Sequence, residues 1–276
     1  QKAILIGKQG SMLRKINISA TRDLEILLGR KVKLELFVRV EEEWRDNDSR
    51  ITEYGYGHID LDYCIEHNIA VLNVEQYGEE AVAQYAIALI IVLVRNMLPA
   101  ILDMKAHKIN YKHYEGKKLN NLTLGIVGCG QIGSAVAKIA NYFGMKVLIH
   151  SYMQNPELDS FCDFVSLDEL LREADVISLH LLYTGDNYHL IGKEEFEKMK
   201  DGVVFVNTAR GELLDIKALY DNLITGKVKA AALDVLECEF LSTHPGELSN
   251  VIKDSESHCV ETALVTQKLF LSLIHI

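Results

Sequence analysis

The chain has 276 residues, 49% hydrophobic and 25% charged, with a formal net charge of −10 at pH 7. That length accommodates one or two domains and supplies ample apolar material for a core. The longest apolar stretch, Tyr85–Val94, stops at Arg95 and is about half the length of a membrane span, which excludes a spanning helix there and leaves a buried one.

Charge is unevenly placed. Residues 1–39 carry nine Lys/Arg against three Asp/Glu, a net of +6, which leaves −16 for residues 40–276. The asymmetry predicts two pieces with different partners. The five cysteines, at 64, 129, 162, 238 and 259, are odd in number and contain no C-x-x-C pair. They read as free thiols in a reducing compartment, so a cytoplasmic protein without a metal site is expected. No signal peptide is visible. The first residue is Gln rather than Met, so the native start is expected upstream.

Ala3–Ile6 reads as a short strand, Gly7-Lys8-Gln9-Gly10 as a loop, and Ser11–Ile16 as the start of a helix that resumes at Asp23–Leu28. Gly29 ends it. Val32–Val40 alternates as a strand, and Glu41–Arg45 opens a charged helix. A G-x-x-G loop between strand and helix suits clamping of a nucleic-acid backbone, helped by the helix dipole and nearby cations. Alone it is weak evidence, since a turn with a solvated basic face gives the same letters.

Past Tyr56-Gly57-His58 the character changes. Asp60–His67 reads as a helix, Ala70–Val74 as a strand and Glu79–Met97 as one long helix ended by Pro99. Leu122–Val127 is an apolar run typical of a strand buried on both faces. It leads into Gly128-Cys129-Gly130-Gln131-Ile132-Gly133, a G-x-G-x-x-G loop, and then a helical pattern through Val136, Ile139, Ala140 and Phe143. In that context Gly128 makes the turn, Gly130 admits a pyrophosphate to the backbone, and Gly133 lets helix pack on strand. The next strand is Lys146–His150. Helices at Leu167–Arg172, Glu194–Lys200 and Ile216–Ile224 then alternate with strands at Asp175–His180, Val203–Asn207 and Ala230–Val235. Such alternation implies a doubly wound parallel sheet.

Two polar groups fall at strand ends, where such sheets place their chemistry. Asn207-Thr208-Ala209-Arg210-Gly211 follows one strand, and its Arg210 suits a carboxylate. Asp234, Glu237 and Glu239 follow another. For any one of these, a surface ion pair or a solvated acidic loop is the commoner explanation.

Longer matches carry two resemblances. IGKQGSMLRKI with TRDLEILLGRKVKLELFVRVEEEWRDN resembles the C-terminal KH domain of the Era GTPase family, over residues 1 to about 56. It implies RNA contact through Gly7, Lys8, Gln9 and Gly10. The domain's opening elements and the GTPase domain are missing, so the contact is expected to be weak. GCGQIG, VISLHLLYT, NTARGELLD and GKVKAAALDVLECE resemble the D-isomer-specific 2-hydroxyacid dehydrogenases, especially the D-lactate dehydrogenase branch, over about 56–269. That resemblance implies NAD held by Gly128, Gly130, Gln131, Ile132, Gly133, Ser151, Thr208 and Asp234. It implies a 2-keto acid held by Arg210, and Glu239 orienting a catalytic His. It also implies a homodimer formed around the long helix Glu79–Met97.

The sequence departs from that family in several places. Ser151, 18 residues after Gly133, stands where an acid usually grips the ribose diol. An NADP enzyme often has Arg nearby, but Tyr152-Met153-Gln154-Asn155 supply none, and NAD is the cofactor expected. The family's His follows a Pro. Here His258 follows Ser257 in a helical stretch, His244 lies too close to Glu239, and His180 and His189 read as structural. The catalytic His is therefore expected beyond the chain, with His258 the remote candidate. Leu271–Ile276 resembles the read-through of a sequencing adapter.

The expectation is an α/β chain with a doubly wound parallel Rossmann sheet, a partial flavodoxin-like substrate domain and a partial N-terminal KH unit. The predicted boundaries are 1–56 for KH, 57–99 for the substrate domain, 100–245 for the NAD domain, 246–270 for a helical segment and 271–276 for a non-native tail. Such a chain reads as a join of two fragments near Tyr54–His58. Its predicted function is NAD-dependent interconversion of a 2-keto acid and a D-2-hydroxy acid, crippled by truncation. RNA binding is the rival.

Overall fold

The computed structural model describes residues 78–108, 114–239 and 258–271, together with Ile18. The chain divides into two units, Gln1–Ile51 and Thr52–Ile276. Apart from Ile18 the first unit lies outside the described residues, and with it the Gly7-Lys8-Gln9-Gly10 loop. The predicted helix at Asp60–His67 and strand at Ala70–Val74 lie outside them too.

The described part of the second unit is built on six parallel strands. They are β1 (Thr123–Val127), β2 (Lys146–His150), β3 (Cys162–Phe164), β4 (Val176–Leu179), β5 (Val203–Asn207) and β6 (Val228–Leu233). Their order is β3-β2-β1-β4-β5-β6, and every pairing is parallel. The order reverses between β1 and β4, which makes the carboxyl ends of those strands the switch-point crevice of a doubly wound fold. The predicted fold class is the observed one for this region.

The helices of the sheet region are α1 (Glu79–Val94), α2 (Met97–Lys105), α3 (Gln131–Tyr142), α4 (Leu167–Glu173), α5 (Lys193–Lys198), α6 (Ile216–Thr225) and α7 (His258–Leu271). Strand side chains alternate between two buried layers. Leu124, Ile126, Val147, Ile149, Val204 and Val206 pack with Ala83, Ala86 and Ile90 of α1 and Val136, Ala137 and Ala140 of α3. Leu148, Ile177, Leu179 and Phe205 pack on the opposite side with Leu170 and Leu171 of α4, Phe196 of α5 and Leu219 of α6. Cover on both faces explains why the strands read as nearly unbroken apolar runs. α7 lies on α6, with Val265 and Leu269 against that second layer.

Local chemistry sets most boundaries. Ser166 caps α4 by accepting from the Glu169 N–H at 3.2 Å. Asp215 caps α6 by accepting from Lys217 and Ala218 at 2.9 and 3.0 Å, and Gly226 closes it at φ 79°, the left-handed geometry that favours glycine.

Three expectations are corrected. The long helix Glu79–Met97 is two helices, because Asn96 adopts the left-handed region at φ 50° and its side chain donates to the Glu115 carbonyl at 2.8 Å. α1 and α2 meet at 67°. Pro99 falls in the first turn of α2, where its missing N–H costs nothing, so it starts a helix rather than ending one. A strand at Cys162–Phe164 was absent from the prediction. It is three residues long, too short for a periodic signal. Finally, Cys238 and Cys259 are paired in a disulfide. Cys129 and Cys162 are free and buried, and Cys64 lies outside the described residues. The spacing of 21 residues says nothing about pairing; the segment after β6 and the start of α7 bring the Cα atoms to 5.5 Å, within bridging range.

Among the described residues no single helix is long and apolar enough to cross a membrane.

Candidate functional site

The glycine loop after β1 separates three different needs for a missing side chain. Gly128 sits at φ 97°, and a Cβ there would lie 2.6 Å from the His180 carbonyl. It is required both by backbone conformation and by the close approach of β4. Gly133 is required by packing alone, since its Cβ would collide with the Gly128 carbonyl. Gly130 is different. Its φ is −76°, which any residue adopts, and nothing lies within 4 Å of the position its Cβ would take. The fold does not need a glycine there, so the need comes from whatever fills that space.

Gly130 is also the N-cap of α3, with no side-chain cap. The first N–H groups of α3 and the positive end of its dipole therefore face the crevice, as an anion-binding terminus requires. Two cavities meet at this loop. One, of about 430 Å³, is lined by Gly128, Gly130, His150, Ser151, Tyr152, Met153 and Asn187 among others. The other, of about 270 Å³, is lined by Glu79, Gly130, Gln131, Ile132, His180, Leu181, Leu182, Thr208, Ala209 and Arg210. Together they extend along both sides of the switch point.

Arg210 is brought into the second cavity by a turn that Asn207 builds. The buried Asn207 accepts from the Ala209 N–H at 3.0 Å and donates to the Arg210 carbonyl at 2.8 Å. Gly211 then lets the turn press on the backbone at Leu236–Glu237, where a Cβ would collide. Among the described residues the buried Thr208 hydroxyl has no hydrogen-bond partner. A buried hydroxyl costs stability unless something satisfies it, and this one borders the cavity.

His180 is partly buried beside the loop, lines both cavities and is bonded through Nε2 to Ser178 at 2.8 Å. Burial pushes its pKa down to about 4, so it is neutral at neutral pH. Ser151 follows β2 and lines the first cavity, and its hydroxyl accepts from the Met153 N–H at 3.2 Å.

Of the predicted site residues, Gly128, Gly130, Gln131, Ile132, Ser151, Thr208 and Arg210 line the two cavities, and Gly133 supports them from below. Asp234 and Glu239 line neither and are exposed. Glu237, which the sequence left in a solvated acidic loop, is buried. It holds His258 Nε2 on one carboxylate oxygen at 2.8 Å and His189 Nε2 on the other at 3.1 Å. Tyr188 donates to the same carboxylate at 2.8 Å and stacks on the His189 ring at 3.9 Å. This cluster lines neither cavity. No local motif announces it, because its members lie 21 and 48 residues apart.

Comparison with known proteins agrees with this geometry. Residues 87–256 match the family of D-isomer specific 2-hydroxyacid dehydrogenases, NAD binding domain, and residues 1–45 match the KH domain family. An aromatic 2-oxoacid reductase of Clostridium sporogenes is 39% identical over 72% of this chain and 61% of its own length. A hydroxypyruvate reductase of Thermotoga maritima is 42% identical over 67% and 60%. The structure of a D-lactate dehydrogenase from Aquifex aeolicus, complexed with NAD and lactic acid, superposes with a TM-score of 0.65 at 37% identity, covering 76% of this chain and 62% of that one. The chain thus spans about three fifths of the length of these relatives. With a family match over more than half of its residues, the chain belongs to the D-isomer specific 2-hydroxyacid dehydrogenases, and residues 87–256 are an NAD-binding domain of that family.

Proposed function

We propose that the complete protein interconverts a 2-keto acid and a D-2-hydroxy acid with NAD(H), and that the crevice at β1 and β4 holds the dinucleotide. The observation that carries this is Gly130, a glycine with ordinary φ and open space at its missing Cβ, capping the helix that follows β1. The cradle fits a pyrophosphate, and the orphaned Thr208 hydroxyl fits a polar group entering the second cavity. Gly128 and Gly130 would hold the phosphates, Ser151 the ribose, and Gln131, Ile132 and Thr208 the nicotinamide side. Asp234 would contact the nicotinamide, and Glu239 would orient the catalytic His. NAD supplies or accepts the hydride when bound.

Arg210 is positioned to anchor a substrate carboxylate through its planar fork. Leu181 and Leu182 line the same cavity. Carbonyl reduction also needs a proton donor. The His bordering the Arg210 cavity is His180, which burial keeps neutral, and His258 lines neither cavity. Among the described residues no other His borders that cavity, so dinucleotide binding with little turnover is expected. General acid–base catalysis contributes typically 10²–10⁴-fold, so its loss alone lowers turnover by about that factor. Steady-state oxidation of NADH with pyruvate and longer 2-keto acids tests the point. Robust turnover abolished by His258→Ala would overturn it and make His258 the acid–base.

Exposed Met97, Ile101, Leu102 and Met104 on α2 support a homodimer through the α1–α2 region. The location proposed is cytoplasmic. The Cys238–Cys259 pair bears on that, since disulfides are rare in reducing compartments. A second reading rests on the KH match at residues 1–45. Residues 1–56 then contact RNA weakly through Gly7, Lys8, Gln9 and Gly10. Replacing Lys8 and Gln9 with Asp should remove salt-sensitive RNA retention by the full chain; unchanged retention would sink this reading.

A further inference from the structure

We propose that His189, Glu237 and His258 form a binding site for a divalent transition-metal ion of the zinc class. The candidate ligand atoms of the three side chains lie within 4.8 Å of one another. The two Nε2 atoms converge on a single carboxylate, one on each oxygen, at 3.1 and 2.8 Å. A tetrahedral zinc ion with bonds of about 2.1 Å spaces its ligand atoms roughly 3.4 Å apart. Each Nε2 lies a few tenths of an ångström closer than that to its own carboxylate oxygen, and the full set of ligand atoms stays within 4.8 Å. Two imidazoles and one carboxylate are a ligand set that zinc and its neighbours accept, and three protein ligands leave a coordination position for water.

The surroundings are those of a prepared site. The Glu237 carboxylate is 6% exposed while the His258 side chain is 55% exposed, which gives a buried anchor and an open door. Tyr188 bonds the carboxylate at 2.8 Å, lies 2.9 Å from His258 Nε2 and stacks on His189 at 3.9 Å, so one side chain orders all three candidate ligands. The Cys238–Cys259 bridge joins the neighbour of Glu237 to the neighbour of His258, so the segment after β6 and the start of α7 carry two of the ligands on a covalent clamp. Because the cluster lines neither cavity of the crevice, this proposal stands apart from the dinucleotide reading.

The test is competition for Zn²⁺ between the full, non-reduced chain and a chromogenic chelator, alongside the absorption spectrum of the Co²⁺ form. Wild type should bind one ion per chain with a Co²⁺ spectrum of nitrogen and oxygen ligation. His189→Gln and His258→Gln should each lose that binding, and Tyr188→Phe should weaken it roughly 10-fold, the lower range for outer-sphere partners. Far-UV circular dichroism and NADH titration of each variant separate lost ligation from lost fold. His258 is half exposed at the start of α7, so its substitution leaves the core intact. No binding to wild type, unchanged binding in both histidine variants, or an intense thiolate-to-Co²⁺ band pointing to cysteine ligation would each overturn the proposal.

Discussion

Gly125 and Gly130 lie five residues apart and have opposite surroundings. A Cβ on Gly125 would sit 2.5 Å from Leu170 Cδ2 and 2.9 Å from Ala174 Cβ, so the glycine exists to let α4 close on β1. Gly125→Ala should cost about 1–3 kcal/mol, the usual penalty of overpacking, read as a lowered midpoint in urea with NADH affinity little changed. The G-x-G-x-x-G spacing made Gly130 legible, but nothing in the sequence marked Gly125, whose reason is a neighbour 45 residues away. His180 gives a prediction of another kind. Its folded pKa is about 4, below the ordinary 6.5, because burial disfavours the charged ring. The unfolded chain takes up a proton that the folded chain refuses. The associated stability is intact above about pH 6.5 and is lost as pH falls toward about 4, by at most about 3 kcal/mol. His180→Asn should flatten that part of the urea stability profile between pH 7 and 4; an unchanged slope would mean that the ring titrates normally.

Element boundaries were readable where the signal is local. β2 and β5 fall where apolar runs end, and α4 and α6 begin at the Ser166 and Asp215 caps. They were unreadable where geometry overrides letters. The left-handed Asn96 splits a continuous apolar pattern into α1 and α2, and β3 is held by pairing to β2 rather than by any pattern of its own. α7 was predicted as a helix, but its placement against the segment after β6 was not, and with it the Cys238–Cys259 pairing and the seating of His258 on Glu237. A thiol titration in denaturant reports on that placement. Five cysteines with one bridge should give three reactive thiols before reduction and five after. Five thiols in protein purified without reductant would place β6 and α7 out of bridging contact.

At the scale of the molecule, the parallel order β3-β2-β1-β4-β5-β6 sets two positive devices at one crevice: the start of α3, and Arg210 at the end of β5. The dinucleotide and the acid are both anions, and the fold meets each with a different kind of donor: backbone N–H groups for phosphate and a guanidinium for carboxylate. This much of the site was visible in the sequence, because the turns that make it are short motifs attached to strand ends. The His189–Glu237–His258 cluster was not, since only the assembled sheet and α7 bring it together. The central claim is that the space at Gly130 belongs to a pyrophosphate, and titrating NADH by nicotinamide fluorescence into the full chain and its Gly130→Val variant tests it most directly. Wild type should saturate, and the variant, with an unchanged circular dichroism spectrum because nothing lies within 4 Å of the new Cβ, should bind at least about 10-fold more weakly, about 1.4 kcal/mol. Equal affinity of the two proteins would contradict the account.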